Sequence, residues 1–196
     1  MTKPITILAF AGSTRRDSLT KKLSRVAAVA AEGAGAHVTW IDLKDYPIPL
    51  YDGDTEAEHG PGQAVLDLLA LFRRHDALLI ASPEYNGFFP PLIKNTLDWL
   101  SRPREGEERH AALRGKHVLL LSAARGSNGG ARGLQQLRHL FDNFKAHSHA
   151  QDYLLPAAHE AFDEQGNLAH AADQARLEAL VAQFAATVRE RQLHAA

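Results

Sequence analysis

Short apolar runs alternate with amphipathic segments along most of the chain. Five runs, each bounded by glycine, proline or polar residues, predict strands over 5–10, 37–43, 77–82, 117–122 and 148–155. The run at 77–82 is apolar almost throughout, which is typical of a parallel strand covered on both faces. Between the runs, apolar residues recur at helical spacing and predict five helices, over about 19–33, 65–72, 91–100, 134–144 and 177–188.

The alternation of strands and helices predicts a doubly wound α/β sandwich. Parallel strands need a crossover between them, and each predicted helix supplies one. We expect a single domain over residues 1–196, with a five-stranded parallel sheet in the order 2-1-3-4-5 and helices on both faces. The segment 46–62, rich in proline, glycine and acidic residues, is predicted as a loop. Ligands of such sheets bind at the carboxyl ends of the strands, which directs attention to three loops.

The first loop, residues 12–20, joins a strand to a helix and is rich in hydroxyls and arginines. Its side chains include Ser13, Arg15, Ser18 and Thr20. Unpaired N–H groups and the helix dipole favour an anion at this point, and arginine adds a forked donor. The loop has neither the glycine–lysine pattern of a P-loop nor the glycines of a dinucleotide fingerprint. A capping serine beside solvated arginines is the alternative, but phosphate binding explains more of the composition.

The second loop, residues 82–91, brings a turn and aromatic side chains to the end of the third strand. Asn86-Gly87 favours a turn with outward N–H groups, and Tyr85 offers a stacking face for a planar ligand. Of Phe88 and Phe89, we expect one to anchor the following helix in the core.

The third loop, residues 122–132, is rich in small residues, so its backbone can approach a flat ligand closely. By itself this is a weak signal, because glycine-rich loops also serve as flexible connections. Together, the three loops predict a site for a phosphate at one end and a planar ring at the other, which suits a mononucleotide such as FMN.

Composition and charge argue against several classes of protein function. The 22 basic and 23 acidic residues give a net charge of −1, so no basic field for nucleic acid is expected. The apolar run near the N-terminus is too short for a signal peptide or a membrane span. The chain has no cysteine, which excludes disulfides, thiolate metal sites and cysteine nucleophiles and favours the cytoplasm.

Three motifs stand out in these loops and in the helix that follows the second: Gly12-Ser13-x-Arg15-x-x-Ser18, then Pro83-Glu84-Tyr85-Asn86-Gly87 followed by Lys94-Asn95-x-x-Asp98-Trp99-x-Ser101, and Gly126-x-x-Gly129-Gly130-Ala131-Arg132. They resemble the motifs of the NADPH-dependent FMN reductase family, whose members include quinone, chromate and azo-dye reductases. The resemblance covers nearly the whole chain, and the Pro-Glu-Tyr-Asn segment is its most specific part. It implies a flavodoxin-like fold and the cofactors FMN and NADPH.

The resemblance also implies a set of site residues. The phosphate of FMN would be held by the first loop, the ring would be lined by 83–86 with a backbone N–H toward flavin N5, and 122–126 would close over the ring's other end. The predicted cofactor-binding residues are Ser13, Arg15, Ser18, Leu19, Thr20, Pro83, Glu84, Tyr85, Asn86, Gly87, Ser122, Ala124 and Gly126. Many relatives have asparagine at position 20, where threonine can still donate, and serine at position 124, where any contact must come from the backbone.

The flavin carries the chemistry, so the protein mainly positions and tunes it. We therefore expect an NAD(P)H oxidoreductase that passes hydride from NADPH to FMN and on to a small acceptor such as a quinone, azo compound, metal oxyanion or free flavin. No catalytic acid, base or nucleophile is assigned. Arg125 is a candidate to stabilise the reduced flavin or to grip the 2′-phosphate of NADPH. The alternatives are a flavodoxin-like electron carrier without its own NADPH site, which is usually strongly acidic, and a module that kept the fold and lost the flavin.

Two further expectations concern metals and assembly. His147 and His149 lie on a predicted strand with both side chains on one face, but a third ligand is not evident and no metal site is predicted. The helix after Pro91, with Trp99 and the aromatic pair before it, is a candidate two-fold interface. We expect a homodimer or homotetramer.

Overall fold

A parallel sheet with helices on both faces forms the framework of the protein. The computed structural model describes residues 4–104 and 106–195. Its strands are β1 (Thr6–Ala11), β2 (His37–Ile41), β3 (Ala77–Ala81), β4 (His117–Ala123), β5 (His147–Ser148) and β6 (Tyr153–Leu155). Its helices are α1 (Leu19–Gly33), α2 (Gly53–His59), α3 (Gln63–Arg74), α4 (Pro91–Leu100), α5 (Ala131–Asn143) and α6 (Ala171–Ala195), with a 3₁₀ turn over Leu43–Asp45.

The sheet order is β2-β1-β3-β4-β5, with β6 also paired to β4, and every ladder is parallel. The flavodoxin-like fold and the predicted order are therefore confirmed. Alternate residues of the central strands point to opposite faces. On one face Ala9 and Leu79 pack with α1 and α6, and on the other Leu8 and Leu78 pack with α3, α4 and α5.

Two predicted elements differ from the structure. The expected fifth strand is divided: His147 pairs with the first residue of β4, whereas Tyr153 pairs near its end. Between them the chain leaves the ladder, and the Asp152 carboxylate pairs with Arg138 of α5. A short, interrupted edge strand offers little free edge for unwanted pairing.

The segment predicted as a loop contains helix α2, which has no buried residue and hence no apolar pattern to detect. Its N-terminus is stabilised by Asp52, whose carboxylate accepts the N–H groups of Asp54 and Thr55, both at 2.9 Å. The signal that could have revealed this helix is the capping residue.

The parallel strands place their carboxyl ends on one edge of the sheet. The loops that follow β1, β3 and β4 start there, so residues separated by more than 100 positions along the chain become neighbours. This arrangement creates the site described next.

Candidate functional site

A cleft of about 240 Å³ lies where the three loops meet. It is lined by Ser13, Arg15, Ser18, Leu19, Thr20, Pro83, Glu84, Tyr85, Ala123, Ala124 and Arg125. Nine of the thirteen predicted site residues are among them; Asn86, Gly87, Ser122 and Gly126 are not. Ala123 and Arg125 line the cleft as well. Both fall inside the segment 122–126 that was expected to close the site.

The N-terminus of α1 forms one end of the cleft. Ser18 is its N-cap, and its Oγ accepts the N–H of Lys21 at 3.3 Å. In the described part of the chain, the N–H groups of Leu19 and Thr20 donate to no protein acceptor, as is usual for a first helical turn. Two free donors at the positive end of a helix suit an anion.

Buried hydroxyl groups surround these donors. Ser13, Ser18 and Thr20 are buried, and the hydroxyls of Ser18 and Thr20 lie 2.9 Å apart. Each hydroxyl can rotate to donate to a phosphate oxygen. Arg15 is exposed at the same end of the cleft. This cluster supplies charge, forked donors and rotatable donors together.

An ion pair behind the first loop fixes its helix. Lys21 is buried, and its Nζ donates to the Asp42 carboxylate at 2.6 Å. Asp42 also accepts the N–H of Lys44. Burial raises the pKa of Asp42, but the bonds from Lys21 and Lys44 outweigh burial and hold that pKa below its ordinary value of 3.8. The pair therefore ties the start of α1 to the end of β2.

The second loop contains a two-residue turn at its tip. Tyr85 and Phe88 exchange backbone hydrogen bonds of 2.8 and 3.0 Å. Between them Asn86 has φ of 53° and Gly87 has φ of 84°, the left-handed pair of a type I′ turn. The N–H groups of Asn86 and Gly87 donate to no backbone acceptor in the described segments, so they remain available to a ligand.

The aromatic side chains of this loop divide as expected. Phe89 packs against the core, whereas Phe88 is 57% exposed and Tyr85 is 48% exposed. Tyr85 thus offers its ring at the edge of the cleft.

Glu84 turns its carboxylate away from solvent and toward the start of α5. One oxygen accepts both Nε and Nη2 of Arg132, at 3.0 and 2.7 Å, and the other accepts the N–H of Gly133 at 3.0 Å. Burial raises the pKa of Glu84, but the bonds from Gly133 and Arg132 hold it below its ordinary value of 4.5. The carboxylate thus stays charged and holds the second and third loops together.

The third loop approaches closely through glycine. Gly130 has φ of 86°, and a Cβ on it would lie 2.0 Å from Ser122 Oγ. Ser122 is fully buried behind the loop, and its Oγ has no hydrogen-bond partner in the described structure. The N–H of Ala124 bonds to Leu155 O at 3.1 Å. The N–H of Ala124 is therefore already used in a hydrogen bond within the fold.

Helix α4 anchors the segment around Pro49 and Tyr51. The amide of Asn95 donates to Pro49 O and accepts the N–H of Tyr51, both at 2.8 Å. The indole N–H of Trp99 donates to the same carbonyl at 2.9 Å. Trp99 is 1% exposed, so the expectation that it forms part of a two-fold interface was wrong. Leu50 remains 81% exposed beside this anchor.

The histidine pair conforms to its predicted geometry. The ring of His149 packs on Phe184, and His147 lines a pocket with Val188 from the same helix, so both face α6. Across residues 4–104 and 106–195 no group of three His, Cys, Asp or Glu residues could hold a metal ion. No helix among these residues is long and apolar enough to cross a membrane.

The fold and the cleft define the class of the protein, a flavodoxin-like flavoprotein. Residues 5–160 match the family model described as NADPH-dependent FMN reductase, and the chain belongs to that family. It is 32% identical over 169 residues to an NAD(P)H-dependent FMN reductase of Pseudomonas aeruginosa, covering 86% of each chain. It is 32% identical over 140 residues to a quinone reductase of Escherichia coli, covering 71% of each.

Among solved structures, the chain is similar to FerB of Paracoccus denitrificans, a flavoenzyme NAD(P)H:(acceptor) oxidoreductase. The TM-score is 0.78 at 27% identity, over 95% of this chain and 98% of that one. The protein is thus an NAD(P)H-dependent oxidoreductase of the FMN reductase and quinone reductase type, with FMN and NAD(P)H as cofactors. Its cleft fits this cofactor, because free helix N–H groups and buried hydroxyls lie at one end and an aromatic turn at the other.

Proposed function

We propose that the protein oxidises NADPH and reduces a small planar acceptor of the quinone class, with FMN held in the cleft between the three loops. When bound, FMN would supply the redox chemistry: it would accept a hydride from the nicotinamide and pass the same two electrons and proton to the acceptor, with a second proton from solvent. The observation that carries the proposal is the single cleft that joins an anion-binding helix N-terminus to an aromatic turn.

The first loop is assigned to the phosphate group. The N–H groups of Leu19 and Thr20 and the hydroxyls of Ser13, Ser18 and Thr20 would donate to its oxygens, with Arg15 adding a charged fork. The Lys21–Asp42 pair stabilises this arrangement from behind. The phosphate group would then bind at the N-terminus of α1 without any movement of that helix.

The second loop is assigned to the ring. Pro83 and Tyr85 line the cleft, and the left-handed turn leaves the N–H groups of Asn86 and Gly87 available. An N–H donor directed at N5 would bind the oxidised ring, in which N5 is a hydrogen-bond acceptor, and would make that atom a better hydride acceptor. Ala123 and Ala124 have small side chains that allow close approach from the other side. No side chain is assigned as a catalytic acid or base.

Arg125 is assigned to the nicotinamide dinucleotide. It lines the cleft from the third loop, is exposed, and makes no ion pair in the described part of the chain. A guanidinium at this position suits the 2′-phosphate of NADPH. NADPH is therefore proposed over NADH.

A second copy of the chain is proposed to cover the aromatic turn. Tyr85, Phe88 and Leu50 are large apolar side chains at 48%, 57% and 81% exposure. Tyr85 lines the cleft and Phe88 closes the same turn, and exposed large apolar side chains mark contact surfaces. We propose at least a homodimer, in which the acceptor binds beside this surface, and a cytoplasmic location in keeping with the absence of cysteine.

The test is a visible spectrum of the FMN-reconstituted protein before and after anaerobic addition of NADPH, followed by a quinone. We expect bound flavin to bleach promptly and to recover on addition of the quinone. Bound flavin that stays yellow would instead indicate an electron carrier that awaits a protein partner. A protein that binds no FMN would overturn the assignment of the cleft. The same experiment with NADH tests the role given to Arg125, which predicts slower bleaching.

A further inference from the structure

A second pocket lies at the opposite edge of the sheet from the flavin cleft. It has a volume of about 510 Å³ and is formed by the amino ends of β3, β4 and β5 and the last turns of α6; we call it the basal pocket. His117, the first residue of β4, lines it, whereas Ala123, the last, lines the cleft. A strand rises about 3.3 Å per residue, so roughly 20 Å separate the two sites.

The lining of the basal pocket has more basic than acidic side chains. Arg73, Arg114, Lys116 and Arg191 line it, against the single carboxylate of Asp76. An oxygen of Asp76 already accepts two hydrogen bonds from Thr6, at 2.8 and 2.7 Å. The pocket therefore holds more positive charge than its own lining can neutralise.

Ion pairs outside the lining neutralise only part of this charge. Arg73 pairs with Glu107 at 2.5 Å, and Arg114 lies 3.7 Å from Glu108. Lys116 donates to the backbone carbonyls of Arg73 and His75. Arg191 forms no ion pair and no side-chain hydrogen bond in the described segments, so its guanidinium keeps all of its donors.

Two imidazoles lie beside this arginine with unused hydrogen-bonding capacity. The rings of His117 and His147 are 5.2 Å apart between centroids and inclined at 36°. Neither ring makes a hydrogen bond to a described residue. Burial, then His147 and Arg191, lower the pKa of His117, so its imidazole is mainly neutral at neutral pH and donates through one ring N–H. An unpaired guanidinium beside imidazole donors in one pocket is complementary to an anion.

We propose that the basal pocket binds a phosphate dianion, with Arg191 as the charged fork and His117 and His147 as flanking donors. A metal ion is not proposed as the ligand, because the positive charges of Arg191 and Lys116 would repel it. The volume exceeds the needs of the ion alone, so the pocket also admits a phosphate monoester with a small organic group. The proposal is independent of the flavin cleft and of the activity proposed for it.

Isothermal titration of the FMN-saturated protein tests the proposal, because FMN then occupies the other phosphate site. Inorganic phosphate and glycerol phosphate are the two probes, and tighter binding of one identifies the free ion or the ester as the ligand. We expect saturable binding that Arg191→Ala weakens by about ten- to hundredfold. Arg191 is exposed on α6, so this variant should fold. Lys44→Ala is the control, since it removes an exposed positive charge outside the pocket and should leave binding unchanged.

Proton NMR of the imidazole resonances locates the bound ion. Addition of phosphate should shift the signals of His117 and His147, assigned through His117→Asn and His147→Asn. No saturable binding in the wild type would overturn the proposal. Equal affinity in wild type and Arg191→Ala, or shifts confined to other histidines, would overturn it as well.

Discussion

The carboxylate of Glu84 and the guanidinium of Arg132 join two loops that are separated by 48 positions along the chain. The same carboxylate accepts the N–H of Gly133, so three bonds fasten the β3 loop to the start of α5. Glu84 therefore holds two walls of the cleft together. It was predicted as a cofactor-binding residue, and the structure shows its carboxylate engaged by the protein itself.

Glu84→Ala should weaken FMN binding by about tenfold, because loss of a charge-assisted hydrogen bond commonly costs about 1.5–3 kcal/mol and part of that loosens the cleft. Glu84→Gln should have a smaller effect, since its amide oxygen can still accept the N–H of Gly133. Flavin fluorescence titration measures the affinity. Glu32→Ala, which removes an exposed carboxylate at the end of α1 away from the cleft, is the control. An unchanged affinity for FMN in Glu84→Ala would show that the hydrogen bonds of Glu84 do not contribute to cofactor binding.

Arg15→Ala should lower the affinity for FMN by about 1.5–3 kcal/mol if the guanidinium pairs with the phosphate. Its neighbour Arg16 is exposed and does not line the cleft. Arg16→Ala therefore removes the same charge nearby without removing the contact, and its effect should be much smaller. The same titration compares the two variants. Equal losses in both would mean that general charge, rather than a contact from Arg15, attracts the cofactor.

Asp42→Asn should destabilise the protein at neutral pH by about 1.5–3 kcal/mol, the usual value of a hydrogen bond to a charged group. The folded state holds the pKa of Asp42 below its ordinary value of 3.8. The charged form is thus favoured by folding, and its contribution is present above pH 3.8 and lost as pH falls through the folded pKa. Urea unfolding at several pH values should show the two proteins converging in acid.

Asp45→Asn is the matched control for that experiment. Asp45 lies in the same 3₁₀ turn but is exposed and makes no ion pair among the described residues. The free energy of unfolding of the Asp45→Asn variant should match that of the wild type across the pH range. A difference between wild type and Asp42→Asn that persists unchanged in acid would argue against the ion pair as the cause.

Gly12→Ala should destabilise the protein by about 1–3 kcal/mol through overpacking. A Cβ at this position would lie 2.4 Å from Cδ1 of Ile93 and 3.2 Å from Cγ of Pro90, at the start of α4. Ile93 is 1% exposed and has no free space to enter. Ile93→Val in the same protein should recover part of the loss, because it deletes the closest atom. Thermal unfolding measures both effects.

Gly33→Ala provides the comparison, because nothing lies within 4 Å of a Cβ there. This substitution at the end of α1 should be neutral or stabilising by about 0.5–1 kcal/mol. If Gly12→Ala proved as harmless as Gly33→Ala, the packing of α4 against the first loop would be looser than the distances indicate.

Phe88→Ser and Leu50→Ser should shift the protein toward monomer if the aromatic turn is the contact surface of a dimer. Sedimentation velocity distinguishes a species of 21.4 kDa from one of twice that mass. Val29→Ser changes an apolar side chain that is 66% exposed on α1, away from the cleft, and should leave the assembly intact. A wild-type protein that sediments only as a monomer at micromolar concentration would refute the proposed dimer.

Local pattern was sufficient to predict most of the elements. Strands β1 to β4 agree with their predicted ranges to within two residues, because continuous apolar runs bounded by polar residues leave little ambiguity. Helix α2 was missed because none of its residues is buried, so it has no apolar face. The fifth strand was predicted as one piece because no local pattern shows that its two parts pair with different ends of β4, with Asp152 between them bonded to Arg138.

Local sequence likewise predicted some features of the site and not others. The turn at Asn86-Gly87 followed from the left-handed conformations that these two residue types tolerate. The burial of Trp99 did not follow from its helix, because the chain at Pro49 and Tyr51 covers it from 50 and 48 positions away. An aromatic residue on a helix face has the same local pattern whether a second copy or its own chain covers it.

The sequence by itself determined the order of strands and helices, the hydroxyl- and arginine-rich first loop, and the turn at the tip of the second. These features depend on periodicity, capping and backbone preference, which act over a few residues. Only the tertiary structure decided that the Glu84 carboxylate pairs with Arg132, that Ser122 lies behind Gly130, and which loop residues share the cleft. Those contacts join residues up to about a hundred positions apart, and the sheet order that brings them together arises only when the crossovers pack.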